Sequence, residues 1–188
     1  DLRALPEPGD VARPADGVTD KEVLVGQSGI VSGPLGTTIK TMLTGVNAAF
    51  AGVNASGGVA GRSIRLVSLD DELVPAKAVA NYKRLLETER VFALTACVGS
   101  GTTAAAAEVL HAHDAVMVGG YAVTDSARDK AAGSAFFVRA TAQRECEALV
   151  RHLMTVNMER VAVAHLDNPG GQEAQRLVDA ELAKSKLK

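Results

Sequence analysis

Val23-Leu24-Val25-Gly26-Gln27-Ser28, followed by Ser32-Gly33-Pro34, decides the fold class. The first run is a β-strand that ends in small polar residues. The second opens a helix, where proline is tolerated in the first turn. Ile39, Leu43, Val46, Phe50 and Val53 then recur at spacings of four, three, four and three, one apolar helix face. Glycines at 57, 58 and 61 end that helix. The same unit repeats downstream. Ile64–Leu69 is a second strand, Pro75 starts a second helix with Val79, Leu85 and Leu86 inward, and Val91–Thr95 is a third strand. Thr102–His113 is an Ala-rich third helix and Ala115–Val118 a fourth strand closed by Gly119-Gly120. Strand–helix–strand units at this spacing predict an α/β fold, a doubly wound parallel sheet flanked by helices with right-handed connections.

The pattern changes after Thr124. Residues 125–134 are polar and charged, Phe136–Arg139 is a short fifth strand, and Gln143–Asn157 is an amphipathic helix. Val161–His165 reads as a further strand and Glu173–Leu187 as a last helix. The expected organisation is a flexible lead-in at 1–18, where Pro6, Pro8 and Pro14 fall, then one unit at 19–140. A crossing near Thr141 leads into an incomplete second unit at 141–188.

Composition narrows the function. The 188 residues are 47% hydrophobic and 22% charged, which excludes wholesale disorder. Twenty basic and 22 acidic residues leave a net charge of −2 without a basic block, so nucleic-acid binding has no electrostatic footprint. Aromatic residues make up 3% and tryptophan is absent, which argues against a base-stacking platform. No apolar run reaches the roughly 20 residues of a membrane span. Asp1–Gly17 lacks the charged-then-apolar pattern of a signal peptide, leaving a processed start or a cytoplasmic one. Cys97 and Cys146 either pair in an oxidising compartment or stay buried as thiols.

In an open parallel sheet, ligands bind beyond the carboxyl ends of the strands. The most informative loop there is Val98-Gly99-Ser100-Gly101-Thr102-Thr103. Its small residues, hydroxyls and free backbone amides at a helix start suit a carboxylate or phosphate; the alternative is a plain cap by Ser100 or Thr102. Gly99–Ala104 also fits G-x-G-x-x-A, but after the third strand rather than the first, and without the acidic residue about 20 positions on. Asp70-Asp71-Glu72 is either a hard-cation site or a solvated turn in which one Asp caps the next helix. His111 and His113, two apart on a helix, point to different faces. Nothing assembles an acid–base or nucleophilic set, so the residues argue for binding rather than turnover.

An ordered series of short motifs sharpens this. Val25-Gly26-Gln27-Ser28, Ser32-Gly33-Pro34, Gly45, Asn54, Gly57-Gly58, Gly61-Arg62 and Leu69-Asp70-Asp71 come in sequence. Pro75, Val79-Ala80-Asn81, Val91-Phe92-Ala93-Leu94 and Val138-Arg139-Ala140 follow. Over Thr19–Lys188 the series resembles the branched-chain amino-acid-binding (Leu/Ile/Val-binding) type of periplasmic solute-binding protein, the receptor of an ABC importer. The resemblance implies a type I periplasmic-binding-protein lobe, a hinge, and a second lobe largely missing from this chain. It implies an extracytoplasmic, non-catalytic protein without cofactor or metal. Its partners would be a small carboxylate-bearing ligand, such as an amino acid, and a membrane permease. The ligand's charged groups would be held by Ser100 at the start of the third helix, with Gly101 and Thr102 beside it. Tyr121, Ala122 and Thr124 would add contacts from the loop after the fourth strand, and Ser32 and Thr38 from the first loop. Two positions depart from the family pattern: Gly119-Gly120-Tyr121 follows the fourth strand, and Gly170-Gly171 stands where many members carry an aromatic residue. Three other readings remain open from the residues: a ligand-sensing domain of a receptor or regulator, a nucleotide-dependent enzyme using Gly99–Ala104, and a lone lobe turned interaction module.

Overall fold

Five parallel strands in the order β2-β1-β3-β4-β5 form one sheet. They appear in a computed structural model that describes residues 16–167 and 169–185; most of the lead-in read at 1–18 lies outside the described residues. The strands are β1 Glu22–Gly29, β2 Ser63–Asp70, β3 Ala93–Thr95, β4 Met117–Gly120 and β5 Ala135–Phe137. The helices are α1 Gly33–Ala55, α2 Pro75–Lys83, α3 Ser100–Ala112, α4 Asp125–Lys130, α5 Ala142–Thr155 and α6 Pro169–Lys184. A π-helical turn, Arg84–Thr88, extends α2. The chain runs from β1 outward to β2 and returns to the other side of β1 for β3. The order therefore reverses between β1 and β3, and their carboxyl ends form the switch point where open sheets of this kind bind ligands.

Strand register sorts the side chains onto two faces. Gly26, Leu94 and Met117 align across β1, β3 and β4. They meet Tyr82, Leu85, Ala106, Ala107 and Leu110 in the main core. Gly26 lets this packing close up, because a Cβ would come within 3.1 Å of a Leu85 methyl and push it aside. The alanines that make α3 unremarkable as a sequence let it lie close to α2. On the other face α1 lays its apolar stripe, with Leu43 buried and Ile39, Val46 and Phe50 half-buried. A groove of about 470 Å³ on that face is lined by Val25, Phe50, Ile64, Phe92 and Val118, among others. Val118 and Phe136 remain more than half exposed. Parallel sheets are ordinarily covered on both sides, so this face is only partly covered among the described residues.

The end of α1 is tied to the sheet by Asn54. Its side chain accepts from the Ile64 amide at 2.7 Å and donates to the Ile64 carbonyl at 2.9 Å.

Several expectations need correction. β4 and β5 are displaced by one or two residues from the runs 115–118 and 136–139. Residues 125–130, read only as a polar stretch, form the short helix α4, which has no apolar stripe to reveal it. Val161–His165 is not a strand. Its β-rich composition has no neighbouring strand to pair with among the described residues, and Val161–His165 instead help line a hollow with Leu149, Leu153 and Val178 of α5 and α6. The last helix starts at Pro169 rather than Glu173. Cys97 and Cys146 are both buried and unpaired, so the disulfide alternative is not realised. Burial pushes the Cys97 thiol up to about 11, far from reactive.

Leu110 is fully buried in the core and Leu149 of α5 is 54% exposed. Leu110→Ala is expected to cost about 3 kcal/mol and Leu149→Ala under about 1 kcal/mol, read from urea unfolding. Equal losses would contradict the placement of the core.

Candidate functional site

The switch point at the carboxyl ends of β1 and β3 is built on a buried polar seam. Gln27, Ser28 and Asp71 are each at most 1% exposed. Ser28 Oγ donates to Asp71 Oδ2 at 2.8 Å, and Asn81 of α2 donates to Ser28 Oγ at 3.2 Å and to the Asp70 carbonyl at 3.0 Å. Ser68 Oγ donates to Gln27 Oε1 at 2.6 Å. Asp70 and Asp71 then hold an unusual turn. Glu72 and Leu73 both lie in the left-handed region, with φ of 53° and 57°. Asp70 Oδ1 accepts from the Glu72 amide at 3.0 Å and from the Val31 amide at 3.1 Å. Asp71 Oδ1 accepts from the Leu73 amide at 2.9 Å. Neither expectation for this triplet holds. Among the described residues no cluster of three or more candidate ligands could hold a metal ion, and the residue before α2, Val74, caps it without a side-chain bond.

The two carboxyls titrate in opposite directions. Burial lifts Asp71 above the ordinary carboxylate value, outweighing the hydrogen bonds from Ser28 and Leu73. For Asp70 the upward push of desolvation is overcome by the Ser32 hydroxyl, the Val31 and Glu72 amides and Lys77, and its value falls.

Beside this seam, α3 begins at the switch point. Its cap is Gly99, at φ 114°, not Ser100 or Thr102. A Cβ at Gly99 would come within 2.4 Å of Thr102 Oγ1 and 2.9 Å of a Leu73 methyl. Pairing continues past the strand ends here: the Val98 amide donates to the Ser28 carbonyl at 3.1 Å, Gly99 to Tyr121 at 3.1 Å, and Tyr121 to Cys97 at 2.8 Å. Ser100 Oγ accepts from the amides of Val123 at 3.0 Å and Thr124 at 3.2 Å. Both its lone pairs are engaged, and its O–H remains to donate. The first-turn amides of Ser100 and Gly101 have no carbonyl one turn back to bond. A hydroxyl donor and amides at a helix start are suited to an anion.

The other residues singled out from sequence fall around this point unequally. Thr102 is buried, and its hydroxyl donates to the carbonyls of Val98 and Gly99. Ala122 and Thr124 are buried, so they shape the loop rather than present side chains to solvent. Tyr121 is 38% exposed. Ser32 precedes α1 and Thr38 lies within it, both exposed. Sequence reasoning missed the partners of Tyr121. Arg139 Nη1 donates to its hydroxyl at 2.5 Å, the guanidinium lies 4.8 Å from the ring centroid, and Glu145 pairs with the same arginine. Arg128 was missed too: it donates to the carbonyls of Ala122, Arg139 and Ala140, fastening the crossing segment to the loop after β4. Eighteen residues separate Tyr121 from Arg139, and nothing local in the chain signals the contact.

A profile of the periplasmic binding protein family matches residues 22–188. The chain belongs to that family. A periplasmic binding protein of Ralstonia solanacearum, described as substrate-binding, superposes with a TM-score of 0.80 at 27% identity, over 88% of this chain and 47% of its own. A fatty acid ABC transporter substrate-binding protein from Thermomonospora curvata superposes with a TM-score of 0.83 at 22% identity, over 94% of this chain and 45% of its own. An amino acid binding protein of Pseudomonas aeruginosa is 32% identical over 88 residues, 47% of this chain and 24% of that one. The chain thus spans less than half the length of these relatives. The family resemblance read from the motif series is borne out, as is the α/β parallel-sheet fold.

Asp71 supplies a pH test. Because its folded value lies above the ordinary 3.8, the folded state holds this proton more tightly, and stability from this group falls as pH rises from about 3.8 through the folded value. Asparagine has no such dependence. The melting temperature of Asp71→Asn relative to wild type is expected to climb between pH 3 and pH 7; a constant difference would contradict the assignment.

Proposed function

We propose that this chain forms the first ligand-binding lobe, residues 19–140, and the opening of the second, 141–188, of an extracytoplasmic solute-binding protein. It captures a small carboxylate-bearing solute, an amino acid or a related acid, for delivery to the permease of an ABC importer. The observation that carries this reading is the α3 N-terminus at the β1/β3 switch point, where Ser100 keeps a free O–H while its oxygen is pinned by two amides. The ligand carboxylate accepts from Ser100 Oγ and the Gly101 amide. Tyr121, steadied by Arg139, forms one wall. Ala122 and Thr124 fix the backbone of that wall, Thr102 supplies backbone only, and Ser32 and Thr38 line the opposite rim. Binding needs no catalytic group, cofactor or metal. The ligands named for two relatives, an amino acid and a fatty acid, share a carboxylate and differ in everything else, which supports an anion pole at the α3 start with a variable remainder. Family membership supports the extracytoplasmic location, and no described helix is long and apolar enough to cross a membrane.

Native mass spectrometry against L-leucine, octanoate and NAD tests this. An adduct with one of the acids, weakened about tenfold or more in Ser100→Ala, is expected, the size of a lost hydrogen bond to a charged group. An NAD adduct without an acid adduct would favour nucleotide binding at Gly99–Ala104. Acid binding that is indifferent to Ser100→Ala would remove the cradle.

A further inference from the structure

The buried seam touches the candidate cradle at two points, and both lead back to one side chain. Asp71 holds Ser28 through its hydroxyl, and the Ser28 carbonyl accepts the Val98 amide at 3.1 Å. The same carboxyl holds the Leu73 amide in a left-handed turn, and the Leu73 side chain rests against Gly99. Val98 and Gly99 are the two residues immediately before the helix start that presents Ser100 and Gly101. No side chain at Gly99 would fit between Leu73 and Thr102, so the turn and the loop are in direct contact. Asp70 by contrast holds the Val31 amide and so governs the first loop.

We propose that Asp71 is a positioning residue for ligand binding: acting through Ser28 on Val98 and through Leu73 on Gly99, it sets where the N-terminus of α3 stands and so where its donors point. The ligand half of this inference rests on the carboxylate reading of that loop; the positioning half does not. The residue never meets the ligand, being fully buried. Its sequence neighbours Asp70 and Glu72 cannot replace it, since the hydrogen bonds of Asp70 go to other amides and Glu72 pairs with Lys77 at the surface. The carboxyl is needed for shape rather than charge. An asparagine in its place keeps one oxygen to accept from the Leu73 amide and offers an N–H to the Ser28 hydroxyl, so both links survive. Alanine breaks both. Leu73→Ala breaks only the link to Gly99.

Amide hydrogen exchange of the ¹⁵N-labelled full chain, followed by NMR, reads this directly. In Asp71→Ala the amides of Val98, Gly99, Thr103, Val123 and Thr124 are expected to exchange at least tenfold faster, while Phe92 and Leu94 in the sheet keep their rates. Asp71→Asn should restore the wild-type pattern. Leu73→Ala should release Gly99 and Thr103 while Val98 stays protected, and it carries the test if Asp71→Ala does not fold. A uniform rise across the sheet, an Asn variant that behaves like the Ala variant, or unchanged Gly99 and Thr103 in Leu73→Ala would each overturn the proposal. L-leucine and octanoate added to the wild type separate the two claims. The exchange pattern holding while neither acid binds would uphold positioning and sink the carboxylate reading. Acid binding unchanged in Asp71→Ala would sink positioning and leave the cradle standing.

Discussion

The hydrogen bond from Ser28 to the buried carboxyl of Asp71 is the interaction on which the working end of this fold depends. A carboxyl without solvent contact is costly unless hydrogen bonds hold it, and here the Ser28 hydroxyl and the Leu73 amide do so. Asn81 adds a third tie by bonding Ser28 from α2. β1, β2 and α2 are thereby joined at one spot, one residue past the end of β2 and one before the end of β1. The sheet below is held by apolar burial, which is not directional. The geometry of the loops above must come from directional contacts, and this seam is where they concentrate.

The fold places that seam by its topology. A sheet that grows outward from β1 in both directions has its switch point at the strand ends between β1 and β3. On one side of it is the loop held by Asp70 through Val31; on another is the α3 start, whose Ser100 stitches it to Val123 and Thr124. Beyond it, Arg128 fastens the crossing segment at Arg139 and Ala140 to the same loop. Motion of α5 and α6 against the sheet is thus expected to pivot after Ala140 rather than within the loop that would hold a ligand.

Much of this was legible from the chain. The four-three-four spacing from Ile39 to Phe50 and the glycines after Asn54 describe α1 closely, because periodic burial and left-handed glycines are local constraints; Val53, expected on the same face, is instead exposed near the helix end. The loop at 98–103 was likewise visible as a helix start with small residues. What escaped depended on contacts far apart in sequence. An Asp-Asp-Glu triplet says nothing about which acid is buried, and only pairing of β1 with β2 brings Ser28 near Asp71. Ser100 reads as a free cap until the loop after β4 folds over it. Val161–His165 has the composition of a strand, but strands are defined by neighbours and none lies beside it among the described residues.

The apolar groove bordered by Phe92 and Val118 lies on a face of the sheet, toward the other ends of the strands, and is the rival location for a small molecule. Mapping ¹H–¹⁵N chemical-shift changes during titration with L-leucine and octanoate discriminates between the two most directly. The largest shifts are expected on Ser100 and Gly101, with smaller ones at Val31 and Tyr121. Shifts centred on Val25, Phe92 and Val118 would contradict ligand binding at the start of α3.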